Sequence, residues 1–191
     1  MNLEYHPLYC EENAFRNCRS LIAGQVDGRR YDEAALLFIF STDKYVRVEM
    51  QRQPPGVVYW DYHAVAVGRR DDSAPWLVFD PDSLVPPGST AMVYLKASFP
   101  NTDSARRFRF LPIVPGRADF GSDRSHMRRS DGRWLAPPPP WEPINPEVAN
   151  LPRLIRPDPP AAPFESAPSI TTEELIGLLT SSSVEPSPSD A

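Results

Sequence analysis

Two cysteines and three histidines bound the nucleophile and base chemistry available to this sequence: Cys10, Cys18, His6, His63 and His126. A thiol attacks as its thiolate, so a reactive cysteine needs surroundings that favour the anion. Cys10 stands just before or at the start of a helical pattern, where unpaired N–H groups and the helix dipole favour negative charge. Cys18 falls on the apolar side of the same pattern and reads as a small buried hydrophobe. His63 lies inside a β-branched and aromatic run, His6 precedes Pro7 in a polar start, and His126 sits in a polar loop where it serves substrate or the loop itself. Asp80 closes an apolar segment, where a buried carboxylate needs a partner. Asp82, after Pro81, is the competing acid and reads as a turn residue. A thiol, an imidazole to move its proton and a carboxylate to orient that imidazole are the parts of covalent acyl transfer.

The elements that must position these groups are legible in outline. Ala14, Phe15, Cys18, Leu21 and Ile22 repeat at helical spacing over Glu11 to Ile22, with Glu11 and Glu12 in the first turn and Gly24 as a stop. Ala35 to Phe40 is buried, as a strand or as the end of a helix starting near Tyr31. Tyr45 to Met50 alternates like a strand, and Val57 to Arg69 is the strongest strand pattern. Trp76 to Asp80 follows a polar turn, Arg69 to Ser73, and is expected to pair antiparallel with it. Met92 to Lys96 and Phe108 to Val114 are read as further strands, and Gly121 to Trp134 as a polar loop. The pattern predicts an α+β fold: an antiparallel sheet packed with helices, with Cys10 on the N-terminal helix. A cysteine on a helix start with His and Asp on adjacent strands is the papain-like and transglutaminase-like arrangement.

Composition narrows the setting. The 191 residues are 41% hydrophobic and 24% charged, with a net charge of -5 and no basic stripe interleaved with aromatics, which argues against nucleic acid as a partner. No apolar secretory segment opens the chain, and the longest apolar run, Ala34 to Phe40, is far short of a bilayer span. The expectation is a soluble monomer in the cytoplasm, or also the nucleus of a eukaryotic cell. On one helix Cys10 and Cys18 would lie about 12 Å apart, beyond disulfide reach. Two unpaired thiols suit a reducing compartment. Of the 24 prolines, ten precede residue 136 and fourteen follow it. A folded domain is therefore expected over residues 1–143, followed by a Pro-rich arm over 144–191. Thr171 and Glu174 make a capping-box pattern ahead of a short amphipathic helix near 172–180, which either docks back on the domain or engages a partner, docking back being the simpler expectation.

Four motifs carry a resemblance: Tyr9-Cys10-Glu11-Glu12-Asn13, Trp60-Asp61-Tyr62-His63, Phe79-Asp80-Pro81-Asp82 and Ser122-Asp123-Arg124-Ser125-His126-Met127. In order and spacing they resemble the protein N-terminal glutamine amidohydrolases over about residues 5–143, as does the proline run before Trp141. The resemblance implies Cys10 as nucleophile, His63 as general base and Asp80 as orienting carboxylate, on a fold related to transglutaminases. It also implies substrates with an N-terminal glutamine, converted to glutamate with release of ammonia, and no metal or organic cofactor. Glu11, Asp61 and Asp123 are acidic candidates for binding the free α-ammonium, and Trp60 and His126 complete the substrate-binding candidates. Pro81 departs from the family pattern, in which a bulky aliphatic residue is more usual, and the segment after the strands is shorter. Two other readings compete: a transglutaminase- or peptidase-like thiol acyl transferase, and a non-catalytic adaptor whose Pro-rich arm binds SH3- or WW-type grooves.

Overall fold

A computed structural model describes residues 2–52, 54–157 and 167–181. Parts of the Pro-rich arm lie outside the described residues. Helix α1 spans Cys10–Ile22, one residue longer than the spacing predicts. Strand β1, Glu33–Ser41, follows. Strands β2, Val46–Arg52, and β3, Pro55–Trp60, form a separate two-stranded ribbon. Strands β4, Tyr62–Arg69, and β5, Leu77–Phe79, precede the short β6, Ser89–Thr90. Helix α2, Ala91–Ser98, and strand β7, Arg106–Pro112, come next. Helix α3 is a single turn, Leu151–Leu154, and β8, Ser169–Ile170, leads into α4, Thr172–Thr180.

The main sheet is antiparallel throughout, in the order β6-β5-β4-β1-β7-β8. Its centre is β1, in which Ala34 to Phe40 are all buried. Because successive side chains leave a strand on opposite faces, Leu36, Phe38 and Phe40 pack beneath α1 while Ala35, Leu37 and Ile39 pack on α2, α4 and β2. Burial on both faces explains why this run shows no alternation and reads equally as helix or strand. The architecture is α+β, an antiparallel sheet packed with helices on both sides.

Two elements differ from expectation. Val57 to Arg69 is two strands rather than one, because the chain changes sheets at Asp61: β3 pairs with β2, and β4 pairs with β1. Met92 to Lys96 is helical, not a strand. The Thr90 side chain accepts a bond from the Val93 amide as an N-cap, and Ala91, Tyr94, Leu95 and Ser98 turn one helical face inward.

The chain after residue 143 contributes to the core. Ile144, Leu151 and Leu154 join the α1 side of the sheet, and Leu175 and Leu179 of α4 join the other. The capping box at Thr171 and Glu174 forms as predicted, and α4 docks back. Gly121 fits the crossing of these segments: its amide bonds to the Asn150 side chain and its carbonyl accepts from the Asn150 amide. A β-carbon there would collide with Asn145 and Val148. Among the described residues no helix is long and apolar enough to cross a membrane.

Candidate active site

The site forms where β4 begins, beside the first turn of α1. His63 shares a face with Val65 and Val67, and Asp80 follows directly on β5, the strand paired with β4. Both side chains are almost fully buried, and His63 Nε2 lies 2.9 Å from Asp80 Oδ2. The Tyr94 hydroxyl on α2 donates to the same oxygen at 2.8 Å, and the Asp82 amide donates to Asp80 Oδ1 at 3.0 Å. Trp60 stacks on the His63 ring with planes 14° apart, and its indole N–H donates to buried Gln51. The imidazole is thus fixed by a carboxylate at one nitrogen and an aromatic face alongside. The same residue also lines the adjoining cavity.

That cavity has a volume of about 320 Å³. Cys10, His63, Trp60, Asp61, Tyr62, Asp82 and His126 line it, together with Leu8, Met127, Leu135 and Ile155. Cys10 is the first residue of α1, so its sulfur sits at the helix N-terminus. The N-cap Tyr9 offers no side-chain bond to the first-turn amides. The thiol donates to Glu11 Oε2 at 3.8 Å, and the Ala64 backbone, adjacent to His63, favours the anion. Cys18, by contrast, is buried in the core and donates to the Ala35 carbonyl.

The electrostatics correct one expectation. A helix start was expected to hold Cys10 anionic, yet burial pushes its thiol up, and the carboxylates of Glu11 and Asp82 push it further. Burial and these carboxylates favour the protonated sulfur. Burial works against charge on His63 too, but the adjacent Asp80 carboxylate outweighs it and raises the imidazole above its usual range. Burial likewise opposes charge on Asp80, and attraction to His63, with the bonds from His63 and Tyr94, holds it below the usual carboxylate range.

The remaining expected site residues separate into two groups. Glu11 is fully buried beside the sulfur, accepts from the Tyr62 hydroxyl at 2.9 Å and lies 3.3 Å from His126 Nε2. Asp61 is exposed on the cavity wall at the break between β3 and β4. Asp123 is exposed too, but its carboxylate accepts from the Ser125 amide at the start of a 3-10 turn, Ser125–Met127, and does not line the cavity. Asp82, set aside as a turn residue, does line it and accepts from the Tyr5 hydroxyl at 2.9 Å.

Sequence reading missed three supports. Tyr94 was hidden by the strand assignment; helical spacing from the Thr90 cap would have turned it inward. Gln51 has no sequence signal. Glu12 is buried and paired by both Arg124 nitrogens, at 2.7 and 2.8 Å, with the Trp141 indole donating at 2.6 Å. Among the described residues, no three His, Cys, Asp or Glu side chains gather to hold a metal ion.

A thiol at a helix start, lining one cavity with a carboxylate-held imidazole, defines the class: the parts of a thiol acyl-transfer site. The sequence model of the N-terminal glutamine amidase family matches residues 5–175. A protein N-terminal glutamine amidohydrolase of Arabidopsis thaliana is 35% identical over 151 residues, covering 74% of this chain and 68% of that protein. Its counterpart in Drosophila ananassae is 34% identical over 152 residues, 73% of this chain and 71% of that protein. The chain belongs to the N-terminal glutamine amidase family.

Proposed function

We propose that this protein deamidates N-terminal glutamine of proteins or peptides to glutamate, releasing ammonia, with Cys10 as nucleophile, His63 as acid–base and Asp80 as orienting carboxylate. The observation that carries the reading is the buried His63–Asp80 pair facing the same cavity as the Cys10 thiol. As the glutamine carboxamide carbon approaches, His63 Nδ1 takes the thiol proton and the sulfur bonds to that carbon. The charge that develops on the amide oxygen meets N–H groups at the start of α1, an interaction whose loss typically costs about 3 kcal/mol. Protonated His63 then gives its proton to the departing nitrogen, and ammonia leaves a thioester. Water loses a proton to His63 and attacks the thioester, giving glutamate and returning the thiol. Asp80 holds the Nε2 proton throughout, so that Nδ1 alone exchanges protons. The fold is of the papain- and transglutaminase-like kind, with the nucleophile on its N-terminal helix.

Recognition of a chain end needs acidic groups for the α-ammonium; Glu11 and Asp82 act on the sulfur, and Asp61 lines the same cavity. The test is mass spectrometry on glutamine-initiated, asparagine-initiated and internal-glutamine peptides, with ammonia measured alongside and Cys10→Ser as control. Conversion of the first peptide alone, abolished in the variant, is the expected result. Cleavage, crosslinking, or conversion that survives Cys10→Ser would overturn the reading.

A further inference from the structure

Tyr94 is buried, and its hydroxyl meets the same carboxylate oxygen as the imidazole. Asp80 Oδ2 lies 2.9 Å from His63 Nε2 and accepts from the Tyr94 hydroxyl at 2.8 Å, while Oδ1 accepts from the Asp82 amide. The phenol is held there by its own element. Thr90 caps α2 and pairs with Leu77 of β5, and the Ala91 amide donates to the Trp76 carbonyl at 2.8 Å. The start of α2 is thus tied to the strand that ends at Asp80. The Tyr94 ring meets Phe99 edge-on, with centroids 6.1 Å apart, inside the apolar cluster on that side of the sheet. Burial and the Asp80 charge push the ionisation of the phenol well up, so it remains a donor.

A buried hydroxyl needs an acceptor, and many acceptors would serve. The choice of this oxygen has a consequence. A donor to the charged form of a carboxylate stabilises that charge and weakens its pull on a neighbouring proton. Asp80 draws His63 toward its charged form against burial, and the Asp82 carboxylate adds to the pull. A base held too firmly protonated cannot take up a thiol proton, because proton transfer is served best by a pKa near the working pH. Resting on the deamidation reading, we propose that Tyr94 is a positioning residue that tunes the base: by sharing Asp80 Oδ2 with His63, it aims the carboxylate and limits its pull on the imidazole proton. The other titratable and charged groups around the pair are Cys10 and Glu11 of α1, Asp82 after β5, Tyr5 of the N-terminal segment, Arg52 of β2 and His126 on the cavity wall. Among the described residues, Oδ2 is divided between His63 and Tyr94.

The experiment removes the donor and, separately, strengthens it. Tyr94→Phe keeps the ring against Phe99 and deletes only the hydroxyl. Tyr94→3-fluorotyrosine keeps the hydroxyl and makes it a stronger donor, and it decides alone should Tyr94→Phe fail to fold. For each variant, kcat/KM for ammonia release from one glutamine-initiated peptide is followed against pH as a ratio to the parent protein, so that titration of the substrate cancels. The acid limb reports the imidazole, which must be neutral to act as base. In Tyr94→Phe that limb should move up by on the order of one pH unit, which lowers kcat/KM about tenfold on the acid side and much less on the alkaline side. In the fluorotyrosine protein it should move down. The His63 ring, titrated by NMR in the same proteins without substrate, should shift with the same signs; a merely structural role would leave it in place. A limb and a ring titration unmoved in both variants, or a downward move in Tyr94→Phe, overturn the tuning while leaving deamidation intact. Absence of ammonia release in the parent refutes the deamidation reading, and the tuning of catalysis falls with it.

Discussion

Replacing Asp80 by asparagine puts an amide NH2 where each carboxylate oxygen already faces a donor. Oδ2 receives His63 Nε2–H and the Tyr94 hydroxyl, and Oδ1 receives the Asp82 amide. If the NH2 takes the place of Oδ1, the bond from Asp82 is lost and a buried donor goes unmatched, a cost of about 1–3 kcal/mol. If it takes the place of Oδ2, it donates to Nε2 and fixes the ring proton on Nδ1, the nitrogen that accepts the Cys10 proton in the proposed mechanism. That tautomer cannot act as base, and the partner that stabilised the imidazolium is also gone. Where an equivalent carboxylate is changed to an amide in a triad, kcat falls on the order of 10⁴-fold, or about 5 kcal/mol of barrier at roughly 1.4 kcal/mol per decade. Ammonia release from a glutamine-initiated peptide should therefore drop about 10³- to 10⁴-fold in kcat with KM little changed. The melting temperature should fall by several degrees, at about 2–4 °C per kcal/mol for a chain of this size. A kcat within about tenfold of the parent would refute the assignment of Asp80.

The same variant tests the linkage. Asp80, held below its usual range, contributes stability above its unfolded pKa of about 3.9 and loses it as pH falls through its lower folded value. His63, held above its usual range, contributes fully below about 6.5 and loses that stability as pH rises through its folded value. The stability gap between the parent and Asp80→Asn should be widest between about pH 4 and 6.5 and narrow on either side. A gap in urea midpoint that is flat across that range would contradict the charged pair.

Arg124→Met removes the partner of fully buried Glu12 and should cost about 3–5 kcal/mol in urea unfolding; a loss below about 1 kcal/mol would mean that the pair is not desolvated. Leu175→Ala, beneath α4, should cost about 2–5 kcal/mol by the same measurement, and no loss would detach α4 from the core. Gly121→Ala forces a β-carbon against the backbone at Asn145 and should destabilise by about 1–3 kcal/mol, read as a lower melting temperature. Glu11→Gln removes a negative charge beside the sulfur and should speed alkylation of Cys10 by iodoacetamide near neutral pH; an unchanged rate would show that Glu11 does not hold the thiol protonated.

The parts of the site that were legible in the sequence are those tied to a local pattern. Helical spacing and paired glutamates placed Cys10 on a helix start, and a polar turn between two apolar runs put Asp80 on the strand beside that of His63. The capping box at Thr171 fixed α4 to the residue. What was not legible depends on contacts made across long sequence separations. Nothing local marks Asp61 as the point where the chain leaves one sheet for another, because both halves of Val57 to Arg69 are equally strand-forming. Tyr94 was lost because Met92 to Lys96 is apolar enough to suit either period, and only the cap at Thr90 separates them. Glu11 and Glu12 look alike as first-turn acids, the usual solvated pattern, yet both are fully buried. Their partners, Tyr62, His126, Arg124 and Trp141, come from some 50 to 130 residues away.

That difference between two adjacent glutamates bears on how the site works. Glu12 is neutralised by a bidentate arginine and an indole, so its charge is spent on fixing the start of α1 against the loop around Arg124 and Trp141. Glu11 meets a phenol, a histidine and the Cys10 thiol itself, which donates to its Oε2 at 3.8 Å. The helix dipole, worth at most about 2 kcal/mol to a charge at a helix end, cannot outweigh burial and two carboxylates acting together. A thiolate standing alone is therefore disfavoured, whereas a proton passed from Cys10 to His63 leaves an imidazolium already stabilised by Asp80. On the proposed mechanism the carboxylates that suppress free ionisation of the thiol also favour a positive charge in the cavity. An entering α-ammonium supplies such a charge, and by offsetting those carboxylates it lowers the cost of forming the sulfur anion. Binding of the correct chain end and activation of the nucleophile are then the same electrostatic event.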